Sequence, residues 1–80
     1  MLARPSVPLG VRSTGWIARL FVGQGYGFIR LADNREIYFH RADCREGVSI
    51  NDVRVGDAVL FDLLEDRISG ARALRVRPKR

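Results

Sequence analysis

The chain predicts an all-β domain in which five short antiparallel strands close into a Greek-key barrel carrying flexible basic tails. Three observations lead there. The 80 residues hold no amphipathic helix of useful length, only short runs in which apolar and polar side chains alternate. Turn-forming residues separate the runs: Gly23 and Gly25, Asp33 and Asn34, Gly56 and Asp57, and Gly70. One longer connection, Arg41 to Val55, follows the third run. An open five-stranded sheet of this size would expose an apolar face and two unpaired edges, and closure removes the edges.

Residues 1–14 carry Pro5, Pro8 and Gly10 and no usable period, so they read as a disordered tail. They lack the apolar stretch of a secretory signal. Residues 15–77 form the expected barrel. Trp16 to Phe21 is the first strand, with Ile17 inward. Tyr26 to Leu31 and Glu36 to His40 are the second and third, joined by the polar turn Ala32-Asp33-Asn34-Arg35. Ala58 to Leu64 is the fourth, with Val59, Phe61 and Leu63 on one face and Leu60 and Asp62 on the other. Ala71 to Val76 is the fifth, with Leu74 and Val76 inward. Pro78 cannot donate to a ladder and ends it, leaving 78–80 as a basic tail.

The second and third strands hold the chemistry. Alternation puts Tyr26 and Phe28 on one face of a hairpin with Tyr38 and His40. Ile29, Ile37 and Phe39 take the opposite face and supply core. Two tyrosines, a phenylalanine and a histidine, interleaved with Gly25 and Gly27, make a flat surface on which bases can stack.

Charge is unevenly placed. Between Gly15 and Val76 nine arginines meet nine acids, so the body is neutral. The formal +5 comes from Arg4 and Arg12 in front and from Arg77, Lys79 and Arg80 behind. Basic ends beside a neutral body point to attraction of a polyanion through the ends. Thirteen of the 14 basic residues are arginine, the side chain that binds phosphate with two donors and stacks on planar groups. With one cysteine, Cys44, and one histidine, a disulfide within the chain is impossible and a Cys/His zinc site is incomplete. No cofactor, no metal and no membrane span is expected; a run of about 20 apolar residues would be needed to cross a bilayer. A single thiol suits a reducing, cytoplasmic setting. Cys44 reads as a small apolar filler.

With these residues in place, the chain resembles the cold-shock domain family over about Gly15 to Arg77. Gly25-Tyr26-Gly27-Phe28-Ile29 looks like the family's first nucleic-acid-binding motif, and Ile37-Tyr38-Phe39-His40 like its second. Val55-Gly56-Asp57-Ala58-Val59-Leu60-Phe61 and Gly70 to Val76 are similar to its last two strands. The resemblance implies an OB-fold barrel that binds single-stranded RNA or DNA by base stacking, as an RNA chaperone or a regulator of transcription or translation. Tyr26, Phe28, Tyr38 and His40 fall on the stacking positions.

The chain departs from the family pattern in its first strand. Where the family usually carries Lys-Trp-Phe-Asn, this chain has Ala18-Arg19-Leu20-Phe21. Gln24 replaces a lysine and Arg41 an aromatic. Arg19 can stack its guanidinium on a base, and Trp16, three residues before the expected tryptophan, offers a second compensation. With Arg30 these complete the candidate nucleic-acid contacts: Trp16, Arg19, Gln24, Tyr26, Phe28, Arg30, Tyr38, His40 and Arg41. Weaker binding than in a typical member is expected, from a monomer. The alternative is a divergent OB-fold module that binds protein and has little nucleic-acid affinity. An enzyme is not expected, because His40 has no nucleophile or paired carboxylate at a recognisable spacing.

Overall fold

The computed structural model describes residues 10–66, 68 and 70–79. Residues 1–9 of the tail expected at 1–14, and Arg80 of the basic C-terminal end, lie outside the described residues. Five strands form a closed barrel: β1 (Val11–Phe21), β2 (Tyr26–Arg30), β3 (Glu36–His40), β4 (Ala58–Asp66) and β5 (Gly70–Pro78). Around the barrel the order is β1-β2-β3-β5-β4. Antiparallel ladders join β1 to β2, β1 to β4, β2 to β3 and β4 to β5. The barrel closes through a parallel contact, Tyr38 opposite Arg72. The architecture is that of an OB-type barrel.

Three strands are longer than expected, β4 by the two residues Glu65 and Asp66 beyond its expected end at Leu64. Val11 to Thr14 belong to β1, where they pair with Leu63 to Leu60 of β4, so the barrel takes in residues assigned by composition to the tail. Arg12 and Ser13 carry no apolar alternation because this stretch is an outer segment; Val11, Arg12 and Thr14 are exposed. At the other end β5 runs through Pro78, and the Lys79 amide donates to the Ala58 carbonyl at 3.0 Å. Only the ladder donor that proline lacks is missing there.

The core is made by the inward faces: Ile17 from β1, Ile29 from β2, Ile37 and Phe39 from β3, Val59 and Phe61 from β4, Ala73 and Val76 from β5. Each large side chain here contributes about 1.5–3 kcal/mol by leaving water. Ile50 and Val53 cap the core from the long connection, which is organised by two 3₁₀ turns, Arg41–Asp43 and Ile50–Asp52. The second is capped by Ser49, whose hydroxyl accepts from the Asn51 amide while Asp52 accepts from the Ser49 amide. The connection therefore has structure that its polar composition did not announce.

Two β-bulges decide which side chains face out. Ile17 and Arg19 of β1 oppose Ile29 and Phe28 of β2, so Ala18 is an extra residue. Strict alternation from Ile17 would turn Arg19 and Phe21 inward; the bulge turns both outward and lets Leu20 pack against the core. In β5 the extra residue falls between Leu74 and Arg77, and Arg75 adopts φ +51°. Ala73 and Val76 are consequently the buried pair, and Leu74, expected inward, is only half-buried. On β4 the reading holds for Val59 and Phe61, both fully buried, with Leu63 packed against them.

Candidate nucleic-acid interface

The outer face of β1, β2 and β3 is ordered in three rows. Register places Trp16, Arg30 and Glu36 in the first, Arg19, Phe28 and Tyr38 in the second, and Phe21, Tyr26 and His40 in the third. The hairpin that supports it pairs Tyr26 with His40, Phe28 with Tyr38 and Ile29 with Ile37, which produces the expected faces. Asn34, at φ +73°, turns the chain between the strands; the Leu31 amide donates to the Arg35 carbonyl and the Asn34 amide to the Leu31 carbonyl, both at 2.9 Å.

Four rings form a continuous cluster. Phe21 stacks on Tyr26 with centroids 4.8 Å apart and planes 23° from parallel. Tyr26 meets Phe28 edge-on at 6.0 Å and Tyr38 at 5.9 Å with planes tilted by 32°, and Phe28 meets Tyr38 edge-on at 5.9 Å. Such contacts hold each ring in place at about 0.5–1.5 kcal/mol per pair, so little side-chain freedom remains to be lost when a ligand stacks. The rings are still open to solvent: Tyr38 keeps 41% of its surface and Phe21 37%.

Two glycines permit this packing. Gly27 lies on the inward side between Tyr26 and Phe28, where a Cβ would come 2.8 Å from the Arg19 carbonyl oxygen and 2.9 Å from the Phe39 ring. Gly25, at φ +77°, closes the turn from β1. Its amide donates to the Phe21 carbonyl at 2.8 Å, and its own carbonyl accepts from the Arg41 amide at 2.8 Å.

The charged members are paired with one another. Arg19 lies over Phe28, its guanidinium carbon 4.2 Å from the ring centroid. Its Nε and a terminal nitrogen donate to one oxygen of Glu36 at 3.1 and 2.9 Å, and Arg30 donates to the other oxygen at 2.6 Å. These two arginines, Arg30 foremost, hold the Glu36 carboxyl below the usual carboxylate range. Two positive charges on this face are thus offset by one negative charge.

His40 has a structural task besides its place in the third row. Its Nδ1 accepts from the Ala42 amide at 3.0 Å and caps the first 3₁₀ turn, so the neutral ring carries its proton on Nε2. Its own amide donates to Asp43 at 2.9 Å. Asp43 is buried and takes a two-pronged bond from one Arg72 nitrogen, at 2.7 and 2.9 Å. That pair ties β5 to the end of β3, since Arg72 stands opposite Tyr38. Cys44, half-buried and bridged to Val76, packs against the core; burial, aided by the nearby Asp43 charge, pushes its thiol above the usual cysteine value.

Of the nine candidates, Tyr26, Phe28, Tyr38, His40, Arg19, Arg30 and Trp16 share this face. Trp16 is half-exposed beside Arg30 and makes no ring contact with the cluster among the described residues. Gln24 and Arg41 are exposed at the third-row end, where Gln24 sits in the β1–β2 turn and the Arg41 side chain lies against Gly25. Sequence reasoning missed Phe21 as a platform ring and Glu36 as the partner of both arginines. Phe21 was findable from its spacing of two from Arg19, once Arg19 faces out. No family model matches the chain, and no curated protein matches it.

Proposed function

We propose that the barrel binds single-stranded RNA or DNA by stacking bases on the outer face of β1 to β3, in the manner of a cold-shock domain. The observation that supports it most is the contiguous, partly exposed cluster of Phe21, Tyr26, Phe28 and Tyr38, with the Arg19 guanidinium stacked beside it. Bases offer a π-face whatever their sequence, so such a surface is sequence-tolerant. His40 Nε2–H supplies one donor for a base edge or a phosphate. A protein of this kind acts in the cytoplasm as an RNA chaperone or as a regulator of transcription or translation, without turnover of the strand.

The test is binding of labelled oligopyrimidine to wild type, Phe21→Ala and Tyr38→Ala. Each variant is expected to lose about 1–3 kcal/mol of binding, or roughly fivefold to a hundredfold and more in affinity. Having also lost ring contacts of about 0.5–1.5 kcal/mol apiece, each is assayed well below its own lowered melting temperature. Unchanged affinity in both would refute the stacking reading.

A second reading, a divergent OB-fold module for a protein partner, is favoured by one observation. Glu36 occupies both arginines of the face, which leaves little free charge there for phosphates. Recovery of a specific protein on the barrel, with no oligonucleotide binding at any salt, would establish it.

A further inference from the structure

The side of the barrel formed by β1, β4 and β5 carries a second feature. An open cleft of about 290 Å³ is lined by Arg12 of β1, Asp62 of β4, Arg75 and Arg77 of β5, and Arg45 from the long connection. Four arginines and one aspartate therefore line it, in a domain whose body is neutral overall. A neighbouring cleft of about 360 Å³ shares Arg45 and Arg77 and continues over Leu60 and Pro78.

The arginines are held there by different means. Asp62 is only 8% exposed and pairs with Arg75, whose left-handed backbone at the bulge aims its side chain across β4. Arg77 donates to the Arg75 carbonyl at 2.6 Å. Arg12 stands opposite Asp62 in the β1–β4 ladder. The Arg45 amide is fixed to the Val76 carbonyl at 3.0 Å. Among the described side chains no carboxylate pairs with Arg12, Arg45 or Arg77. Gathering like charges costs energy that an anionic ligand recovers. Arginine's planar fork matches a phosphate group.

We propose that this cleft is a phosphate site, and that it takes backbone phosphates of a single strand whose bases lie on the β1–β3 face. The inference rests on the single-strand reading above and adds where the strand's charge is met. The two surfaces are complementary. On the aromatic face both arginines are engaged by one carboxylate, Glu36, whereas in the cleft Arg12, Arg45 and Arg77 have no carboxylate partner among the described residues and no aromatic ring joins the lining. They are joined along β5. Arg72 stands beside Tyr38 at the edge of the aromatic face, and the strand then carries Arg75 and Arg77 into the cleft. From Arg72 to Arg77 this track is about 17 Å at about 3.3 Å per residue. A strand long enough to leave the platform past Tyr38 reaches the cleft; a short one does not.

The experiment compares oligothymidines of about four and about twelve nucleotides, both within the range that one OB barrel accommodates. Binding is measured against salt for wild type, Arg12→Gln/Arg45→Gln and Tyr38→Ala. Neither Arg12 nor Arg45 has a side-chain partner among the described residues, so the double variant should fold, which its melting curve checks. In wild type the longer strand should bind more tightly, with the steeper salt slope. In the double variant that slope should fall by about 1.4, about 0.7 for each lost phosphate contact on a single strand. Binding of the short strand should stay unchanged. Tyr38→Ala should weaken both strands and leave the slope alone.

Equal slopes for wild type and double variant on the longer strand would overturn the cleft proposal. So would an equal loss on both lengths, or no gain with length in wild type. In each of these cases binding of the short strand by wild type keeps the platform reading standing. Failure of wild type to bind either strand would remove both.

Discussion

Glu36 does most to set the electrical character of the aromatic face. Its carboxyl, held low by Arg30 and then Arg19, keeps two guanidinium groups engaged with each other's neighbour rather than with a phosphate. Glu36→Gln should therefore raise affinity for a single strand at low salt and steepen its salt slope by up to about 1.4, two contacts at about 0.7 each. A variant with wild-type slope would show that the two arginines meet no phosphate even when free. The same carboxyl sets a pH dependence. Because its folded value is lowered, its contribution to stability is present above the unfolded value of about 4.3 and is lost as pH falls through the lowered folded value. Melting followed from neutral pH into acid should fall less steeply in Glu36→Gln than in wild type over that window. His40 is read differently from its neighbours because its Nδ1 is already used by the Ala42 amide. His40→Asn can keep the cap and His40→Ala cannot, so the alanine variant should be less stable by about 1 kcal/mol. Both should lose any base contact made through Nε2.

At the scale of single strands, the two bulges carry consequences that propensity does not reveal. In β5 the residue at φ +51° is an arginine, a conformation that costs a side-chain-bearing residue about 1–2 kcal/mol. The pairing of Arg75 with the buried Asp62 offsets it. Arg75→Ala keeps the strained backbone and loses the pair, whereas Arg75→Gly loses the pair alone. The glycine variant should thus be the more stable of the two by about 1 kcal/mol, which chemical denaturation can resolve. Gly27→Ala tests the opposite constraint, since its methyl would meet the Arg19 carbonyl and the Phe39 ring. A loss of about 1–3 kcal/mol is expected. These strands also show why part of the structure was legible beforehand. Tyr26 to Ile29 and Ile37 to His40 alternate without interruption, so faces and core assignment followed from a period of two. The β1 and β5 strands each carry one extra residue, and the period breaks there. That break hid Phe21 from the site and put Leu74 in the wrong place. Val11 to Thr14 escaped notice because an outer strand segment needs backbone partners and not apolar side chains.

For the whole molecule, the barrel separates two kinds of chemistry that many single-strand binders mix in one groove. Rings lie on β1 to β3, and Arg12, Arg45 and Arg77, without a carboxylate partner among the described residues, lie where β1, β4 and β5 meet. The five-stranded closure was legible because five alternating runs and one long connection leave few other ways to cover the edges. The cleft was not legible, since Arg12, Arg45, Arg75 and Arg77 are scattered through the sequence and meet only through the β4–β5 register and the bulge. The neutral body predicts that stacking, not charge, dominates binding of short strands. The measurement that tests this most directly is fluorescence anisotropy of a labelled short oligopyrimidine, single-stranded against matched duplex, at low and moderate salt. Saturable binding of the single strand that survives the salt, with the duplex far weaker, is the result expected of a working aromatic face. Equal binding of single strand and duplex, vanishing together as salt rises, would contradict it and leave only charge attraction to the arginines.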